Sequence, residues 1–280
     1  MAVFLALLTA ALFGTGDFLG GLAGKRMSVF RVLAISHFVG LVGITIGAVV
    51  LADRFILEDL GWGALSGVAG FVGLALLYRG LARGPMGVVA PLTAITSAAV
   101  PAAWGVVVND ETLGGGAWIG VAIALLAIGL ASWSPDDAGT PITSMAVVEA
   151  LLAGAGFGVM FIGLDQTMEA SAPWPVVGGR IMTVAMMAVF FLFIRRESPL
   201  PEVRGDITLP AVGGLVDTFS NAMFLYAALE GDLVIVAVLS SLYPIATVLL
   251  ARFVLGERLT KVQQFGFVAA MAATALIAAG

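Results

Sequence analysis

The sequence contains no cysteine and one histidine, His37. Disulfide bonds and thiolate metal sites are therefore excluded, and a single chain cannot build a multi-histidine metal site. Charged residues are also scarce, at 11% of the 280 residues, whereas an ordinary soluble domain has about 25%. A soluble core of this size would need a charged surface to cover it, and that surface is missing. We expect neither a metal nor a cofactor.

What the chain has instead is apolar sequence: 60% of its residues are hydrophobic, and its mean hydropathy is +1.09. A run of about 20 apolar residues is long enough to cross a bilayer as a helix. The sequence predicts ten such spans, at residues 2–22, 30–52, 61–82, 86–108, 115–133, 144–164, 174–194, 209–229, 233–254 and 262–279. The connections between them are short, so the prediction is an all-α membrane protein.

Two stretches of the chain resemble each other at about half its length, Tyr78–Thr112 and Tyr226–Thr260. Three residue pairs match at separations of 148, 147 and 146: Tyr78 with Tyr226, Gly84 with Gly231, and Glu111 with Glu257. We interpret this as a duplication, with a first repeat at 1–134, a linker at 135–142 and a second repeat at 143–280. Each repeat holds five spans, an odd number, so the second repeat must be inverted in the membrane.

Lysine and arginine cluster on one side of the predicted membrane. Of the 13 basic residues, 11 fall in or beside the loops that follow odd-numbered spans, one in an alternate loop and one inside span seven. We call the side with the 11 residues the basic face, and the opposite side, which carries both chain termini, the terminal face. Because cytoplasmic loops are enriched in Lys and Arg, the basic face is predicted to be cytoplasmic and both termini outside.

Three prolines fall inside predicted spans. Pro91 and Pro101 are predicted to break span four, and Pro244 to break span nine. Each proline removes a backbone hydrogen bond and frees a carbonyl, which is tolerated only against protein or a water-filled path. The prolines therefore indicate irregular helices near the centre of the bundle.

Hydroxyl groups precede Pro244, on Ser240, Ser241 and Tyr243. If span nine is interrupted there, these side chains are candidates for lining a substrate route. The alternative is a packing kink in which the hydroxyls bond to their own helix. The sequence leaves both interpretations open.

Four polar residues lie inside predicted spans at similar depths: Asp17, His37, Asp217 and Asn221. Helical rise places them roughly 8–18 Å from the basic face, so they can share one polar cavity. Ionisable groups in a membrane are costly and mark functional sites, and such a carboxylate can bind a proton, a cation or a cationic substrate group. The structural alternatives are that Asp17 caps a helix end and that His37 is a neutral donor between helices.

Arg180 lies about six residues inside span seven from the terminal face. One interpretation is a structural ion pair with Asp165, which ends span six on the same side. The other is a role at the outer gate, or in holding a substrate carboxylate. Neither is favoured by the sequence.

Several segments, taken together, resemble the EamA type of the drug/metabolite transporter superfamily. The closest is Leu239–Arg252 followed by Gly256–Thr260, and Phe13–Gly21 and Trp174–Arg180 resemble one bacterial subgroup. The first repeat departs most, because its Asn109–Thr112 lacks the Gly-Glu-Arg pattern of the second. The family's span-two arginine is also replaced around Ser36 and His37, so arguments about that arginine carry over only to Arg180.

The resemblance implies a secondary transporter that moves a small metabolite across the plasma membrane, the inner membrane of a bacterium, by alternating access. An amino acid, an amine or a drug-like solute is expected, with export favoured and proton coupling one option. In this interpretation Asp17 and Asp217 are proton or cation sites, and Asn221 is a hydrogen-bonding partner of the substrate. The expected partners are the solute, membrane lipid, and protons or a monovalent cation, without nucleic acid, in a monomer or homodimer.

Three other functional classes compete with the transporter. An intramembrane enzyme acting on a lipid would need catalytic machinery, yet the sequence has no H-E-x-x-H or G-x-S-x-G motif. A facilitative exchanger without ion coupling fits the same spans. A structural or sensing membrane protein leaves the mid-membrane Asp217 unexplained. We therefore predict a protein that is not an enzyme and has no catalytic residues.

The charge bias predicts the orientation of the chain. A reporter that is active only in the cytoplasm should be inactive when fused after Gly280 and active when inserted in the loop between spans seven and eight, because that loop is basic. Many relatives implied by the resemblance have cytoplasmic termini, so the assay separates the two expectations. An active reporter at the C-terminus would overturn the charge-based orientation.

Overall fold

The computed structural model describes residues 1–132, 143–193, 207–256 and 259–279. The predicted linker at 135–142 and the pair Glu257 and Arg258 lie outside the described residues. So do the predicted ends of spans five and seven, at 133 and 194, and the basic residues of 195–204.

Within the described ranges the secondary structure is helical. The α-helices are α1 (Ala2–Gly24), α2 (Val29–Leu51), α3 (Leu57–Arg83), α4 (Met86–Val107), α5 (Gly115–Ala131), α6 (Ser144–Asp165), α7 (Trp174–Phe193), α8 (Thr208–Glu230), α9 (Leu233–Ser240), α10 (Tyr243–Leu255) and α11 (Lys261–Ala279). Among the described residues, nine segments are long and apolar enough to cross a membrane, with Leu233–Leu255 as one of them, and Gly115–Ala131 is a shorter apolar helix. The ten-helix membrane fold is thus confirmed.

The helices begin and end at residues that suit those positions. The Thr143 hydroxyl caps α6 by accepting a hydrogen bond from the Ala146 N–H at 3.2 Å, and Pro85 precedes α4. Gly256 ends α10 in the left-handed conformation, at a φ of 73°, which costs glycine little. Between these ends the chain is helical because lipid offers no partner for an unpaired backbone group.

The two five-helix halves pack with matching neighbours. Helix α1 lies against α8 as its counterpart α6 lies against α3, and α2 contacts α8 as α7 contacts α3. Counterparts also pair directly: α2 with α7, α4 with α9, and α5 with α11. This pattern is what a two-fold axis in the membrane plane produces in an inverted repeat.

The repeat extends to the backbone at the ends of spans four and nine. Asp110 and Gly256 both have a positive φ, of 54° and 73°, and they are 146 residues apart, the separation at which Glu111 matches Glu257. Aspartate is among the few residues besides glycine that adopt this conformation readily. The first repeat therefore makes the same turn with aspartate in place of glycine.

The expectations about the prolines are met in part. Helix α4 runs without interruption through Pro91 and Pro101, so the predicted break in span four is wrong. Contacts with α3, α5, α6 and α9 hold α4 in place, and a packed bundle tolerates the lost hydrogen bonds. Span nine is interrupted as predicted: α9 ends at Ser240 and α10 begins at Tyr243, with Pro244 in its first turn.

Packing differs between the two halves of span nine. In α9, toward the terminal face, seven of the eight residues are buried, whereas α10, toward the basic face, has no buried residue. Residues 243–250 of α10 are partly exposed all around the helix, so its inward side also borders open space. Among the described residues, span nine is therefore tightly packed toward the terminal face and loosely packed toward the basic face.

A carboxylate holds the start of α9 at the terminal face. The two oxygens of Glu111, in the loop between α4 and α5, accept hydrogen bonds from the N–H groups of Leu233 and Val234, each at 2.9 Å. A negative charge at a helix N-terminus satisfies free N–H groups and suits the helix dipole. The nearby Asp232 is less favourably placed, since burial and, to a smaller extent, the Glu111 carboxylate raise the pKa of its carboxyl.

We predict that Glu111→Ala lowers the free energy of unfolding by roughly 1–3 kcal/mol, because two N–H groups lose a charged acceptor. Thermal unfolding in detergent measures the effect. Asp232→Asn is the matched control: it removes a negative charge one residue before Leu233 and should leave the midpoint unchanged or raise it. Equal losses in the two variants would contradict the capping role of Glu111.

Candidate functional site

The central polar site contains an ion pair between Arg180 of α7 and Asp217 of α8. The Arg180 side chain is 7% exposed and that of Asp217 is 39% exposed. A guanidinium stays charged even when it is buried, so it needs a counter-charge close by. Asp217 supplies that charge, and its own side chain stays partly exposed.

His37 of α2 is the second partner of Arg180. The Arg180 Nη1 lies 2.6 Å from the His37 Nδ1. Because a guanidinium can only donate, His37 Nδ1 accepts, and the neutral ring carries its proton on Nε2. His37 therefore accepts at Nδ1 between helices, and Nε2 is the nitrogen left for the donor role considered from the sequence.

Asp17 of α1 lies beside this pair but does not take part in it. Its neighbour Gly16 packs on α8 so closely that an added Cβ would lie 3.3 Å from the Asp217 Cβ. The Asp17 carboxylate is within electrostatic range of Asp217 and of the hydroxyls of Tyr78 and Tyr243. It is exposed although α1, α3, α8 and α10 surround it, so it faces the open space at the centre of the bundle.

Aromatic rings close this space toward the terminal face. We call the set Phe13, Phe161, Phe224 and Tyr243 the aromatic floor. Phe13 is one helical turn from Asp17 on the same face of α1, and its ring centroid lies 6.2 Å from that of Phe161 and 6.4 Å from that of Tyr243. Phe161 stacks on Phe224 at 4.2 Å. Both of these rings are buried, so the bundle is closely packed at the floor.

The remaining predicted site residues lie at the edge of this cluster or behind it. The Asn221 side-chain N–H group donates to the Asp217 carbonyl of its own helix at 2.8 Å. Ser240 and Ser241 are completely buried, so neither lines an open route in this conformation. The Ser240 hydroxyl lies 3.5 Å from the Ala6 carbonyl of α1, whereas the buried Ser241 oxygen has no partner within the described part of the chain.

The ion pair between Asp165 and Arg180 that the sequence left open does not form. The Asp165 carboxylate accepts hydrogen bonds from the side chains of Asn109 and Gln166, at 3.2 and 3.0 Å. Arg180 instead extends from α7 toward α8. Spacing along the sequence showed that Arg180 and Asp165 lie near the same face, but not the direction in which the arginine side chain points.

Two residues of interest were missed from the sequence. Tyr78 entered only as a repeat match, although its 40% exposed ring lies beside the cavity. Glu149 is a buried acid in α6, with Arg79 Nε 3.1 Å from its Oε1 and Arg83 bound to the same oxygen. The rule that flags ionisable residues inside spans would have found Glu149 in span six.

The described residues offer little to a metal ion. No group of three or more His, Asp or Glu side chains that could hold a metal was found among them. Two grooves elsewhere are lined mainly by apolar side chains, one between α3, α4 and α6 and the other between α1, α2 and α8. Apolar grooves of this kind suit a surface that faces lipid.

The chain is similar to known proteins in both sequence and fold. The sequence profile of the EamA-like transporter family matches residues 1–133 and 144–279. No curated protein gives a significant match. A solved structure described as "Crystal structure of protein" superimposes with a TM-score of 0.76 at 17% identity, over 99% of this chain and 98% of the other. At that identity the likeness shows the fold.

We predict that Asp217→Asn lowers the free energy of unfolding by up to about 3 kcal/mol, because the buried Arg180 loses its counter-charge. The partial exposure of Asp217 limits the loss. The double variant Arg180→Gln with Asp217→Asn should recover part of the stability, as measured by unfolding in detergent. If the double variant lost as much stability as Arg180→Gln alone and Asp217→Asn alone lose together, the two residues would not be coupled.

Proposed function

The chain belongs to the EamA-like transporter family, and we propose that it is a secondary transporter for a small metabolite, most simply an amino acid, an amine or a drug-like solute. Transport proceeds by alternating access between the two inverted five-helix halves. We place it in the plasma membrane, the inner membrane of a bacterium. Its substrate lies in the central cavity, between the ion pair and the aromatic floor.

The observation that carries this proposal is the position of ionisable groups at a one-sided opening. Asp17 is exposed and Asp217 partly exposed beside the loosely packed α10, while the buried α9 and the aromatic floor lie toward the terminal face. A transporter needs a site that one face of the membrane reaches at a time. The asymmetry of packing supports such a site.

Each polar residue has a proposed role. Asp17 and Asp217 are the proton or cation sites, and Asn221 is a hydrogen-bonding partner of the substrate near Asp217. A proton on Asp217 would weaken its hold on Arg180, so the α7–α8 contact would respond to proton binding. Arg180 then acts as part of the gate rather than as a binder of a substrate carboxylate.

The basic face is the proposed cytoplasmic side, from the Lys and Arg bias. With that orientation the cavity is open to the cytoplasm, which suits a protein that loads its substrate there. We therefore propose export as the direction of transport. Both chain termini lie outside in this arrangement.

Flux in proteoliposomes tests the function. With a panel of amino acids and amines, we expect solute movement that depends on an imposed pH gradient, because a carboxylate exchanges protons during the cycle. Asp217→Asn should remove the dependence on the gradient, with rates compared per folded protein. Asp53→Asn, an exposed acid in the loop after α2, is the matched control and should retain it.

Two results would count against the proposal. Liposomes that show no protein-dependent flux of any solute in the panel would contradict the transport function. If Asp217→Asn kept both the flux and its response to the pH gradient, the coupling role of Asp217 would be wrong while transport itself would stand.

A further inference from the structure

The charges around the cavity do not cancel. Arg180 and Asp217 neutralise each other, and His37 is neutral because its Nδ1 accepts from Arg180. Asp17 has no hydrogen-bond or ion-pair partner among the described residues, and the charged group that acts on it is another acid, Asp217. When Asp17 is ionised, the cavity therefore carries one uncompensated negative charge.

The arginine of the site is poorly placed to attract an anion. Arg180 lies behind Asp217, with a 7% exposed side chain against 39% for Asp217, and it already donates to His37 at 2.6 Å. A solute in the cavity would meet the carboxylate before the guanidinium. A carboxylate on the solute would be repelled by both acids.

The walls next to Asp17 are aromatic. Phe13 is one turn away on α1 and contacts Tyr243, while the partly exposed Tyr78 of α3 lies within electrostatic range of Asp17. The faces of such rings attract organic cations. A small metal ion prefers several oxygen ligands, whereas the described residues offer aromatic rings beside one carboxylate that has no partner among them.

We propose that the central cavity selects an organic cation with an apolar or aromatic body, held by Asp17 as its counter-charge and by Phe13, Tyr78 and Tyr243 as its aromatic walls. The inference rests on the proposed transport function and narrows its substrate class. The Arg180–Asp217 pair then supports the helices around the site instead of binding the solute.

A matched series of phenyl compounds tests the charge preference. The probes are benzyltrimethylammonium, 2-phenylethylamine, phenylalanine and 3-phenylpropionate, which present a permanent cation, a titratable cation, a zwitterion and an anion. Binding to the purified full chain is measured by calorimetry and by thermal stabilisation in detergent at mildly alkaline pH. We expect both cations to bind and the anion to fail.

Variants then test whether Asp17 is the counter-charge of the bound cation. Asp17→Asn should weaken benzyltrimethylammonium binding at least about tenfold, and Asp17→Glu should largely restore it, which separates a lost charge from a misfolded protein. Phe13→Leu should weaken the binding of both cations several-fold, because an aromatic ring is lost. Glu58→Gln, which removes an exposed acid at the start of α3 on the terminal face, is the charge-matched control and should bind like the parent.

The outcomes of the binding experiment can be distinguished from those of the flux experiment. Tighter binding of 3-phenylpropionate or phenylalanine, binding that is indifferent to Asp17→Asn, or no binding of either cation would overturn the cation proposal. In each case the flux panel decides independently whether the chain is a transporter. Loss of all protein-dependent flux would overturn the function, whereas flux of anions or zwitterions alone would overturn only the substrate class.

Discussion

The close approach of helices across the two repeats is the constraint on which the rest of the structure depends. In lipid, helices associate by packing of small residues rather than by burial of apolar surface. An added Cβ on Gly14 would lie 2.6 Å from the Ala246 Cβ, and one on Gly156 would lie 2.9 Å from the Gly73 Cα. These contacts join α1 to α10 and α6 to α3. Together with Gly16, they bring Asp17 beside Asp217, so the polar site exists because glycine removes the side chains that would keep the helices apart.

The chemistry of the site does not share the symmetry of the fold. Gly14 and Gly16 make the helix contacts that Gly154 and Gly156 make in the other half, a separation of 140 residues, so Phe157 takes the place of Asp17 in α6. An inverted repeat moves that counterpart toward the terminal face. At this position the first repeat has a carboxylate and the second has an aromatic ring. The two repeats therefore differ in charge here, although the ionisable and aromatic residues of the site come from both.

Much of the fold could be predicted from the sequence, and the reason is the bilayer. Apolar runs of fixed length define the spans, and an odd number of spans per repeat dictates inversion. The interruption at Pro244 was also predicted correctly. The breaks predicted at Pro91 and Pro101 do not occur, because a proline by itself removes only one backbone hydrogen bond. Whether the helix then bends or continues depends on the neighbours that hold it, and α4 is held by four helices.

The sequence by itself determined the ten spans, the repeat, the charge bias and the residues that are costly to place in a membrane, since all of these follow from composition and order along one dimension. Only the tertiary structure decided how those residues pair. Arg180 faces Asp217 and His37 instead of Asp165, Ser240 and Ser241 are buried, and Asp17 is exposed without a partner among the described residues. Depth along a helix can be counted from the sequence, but the direction of a side chain depends on the rotation and contacts of the helix that carries it. That direction distinguishes a neutral, buried pair from an exposed charge that a solute can reach.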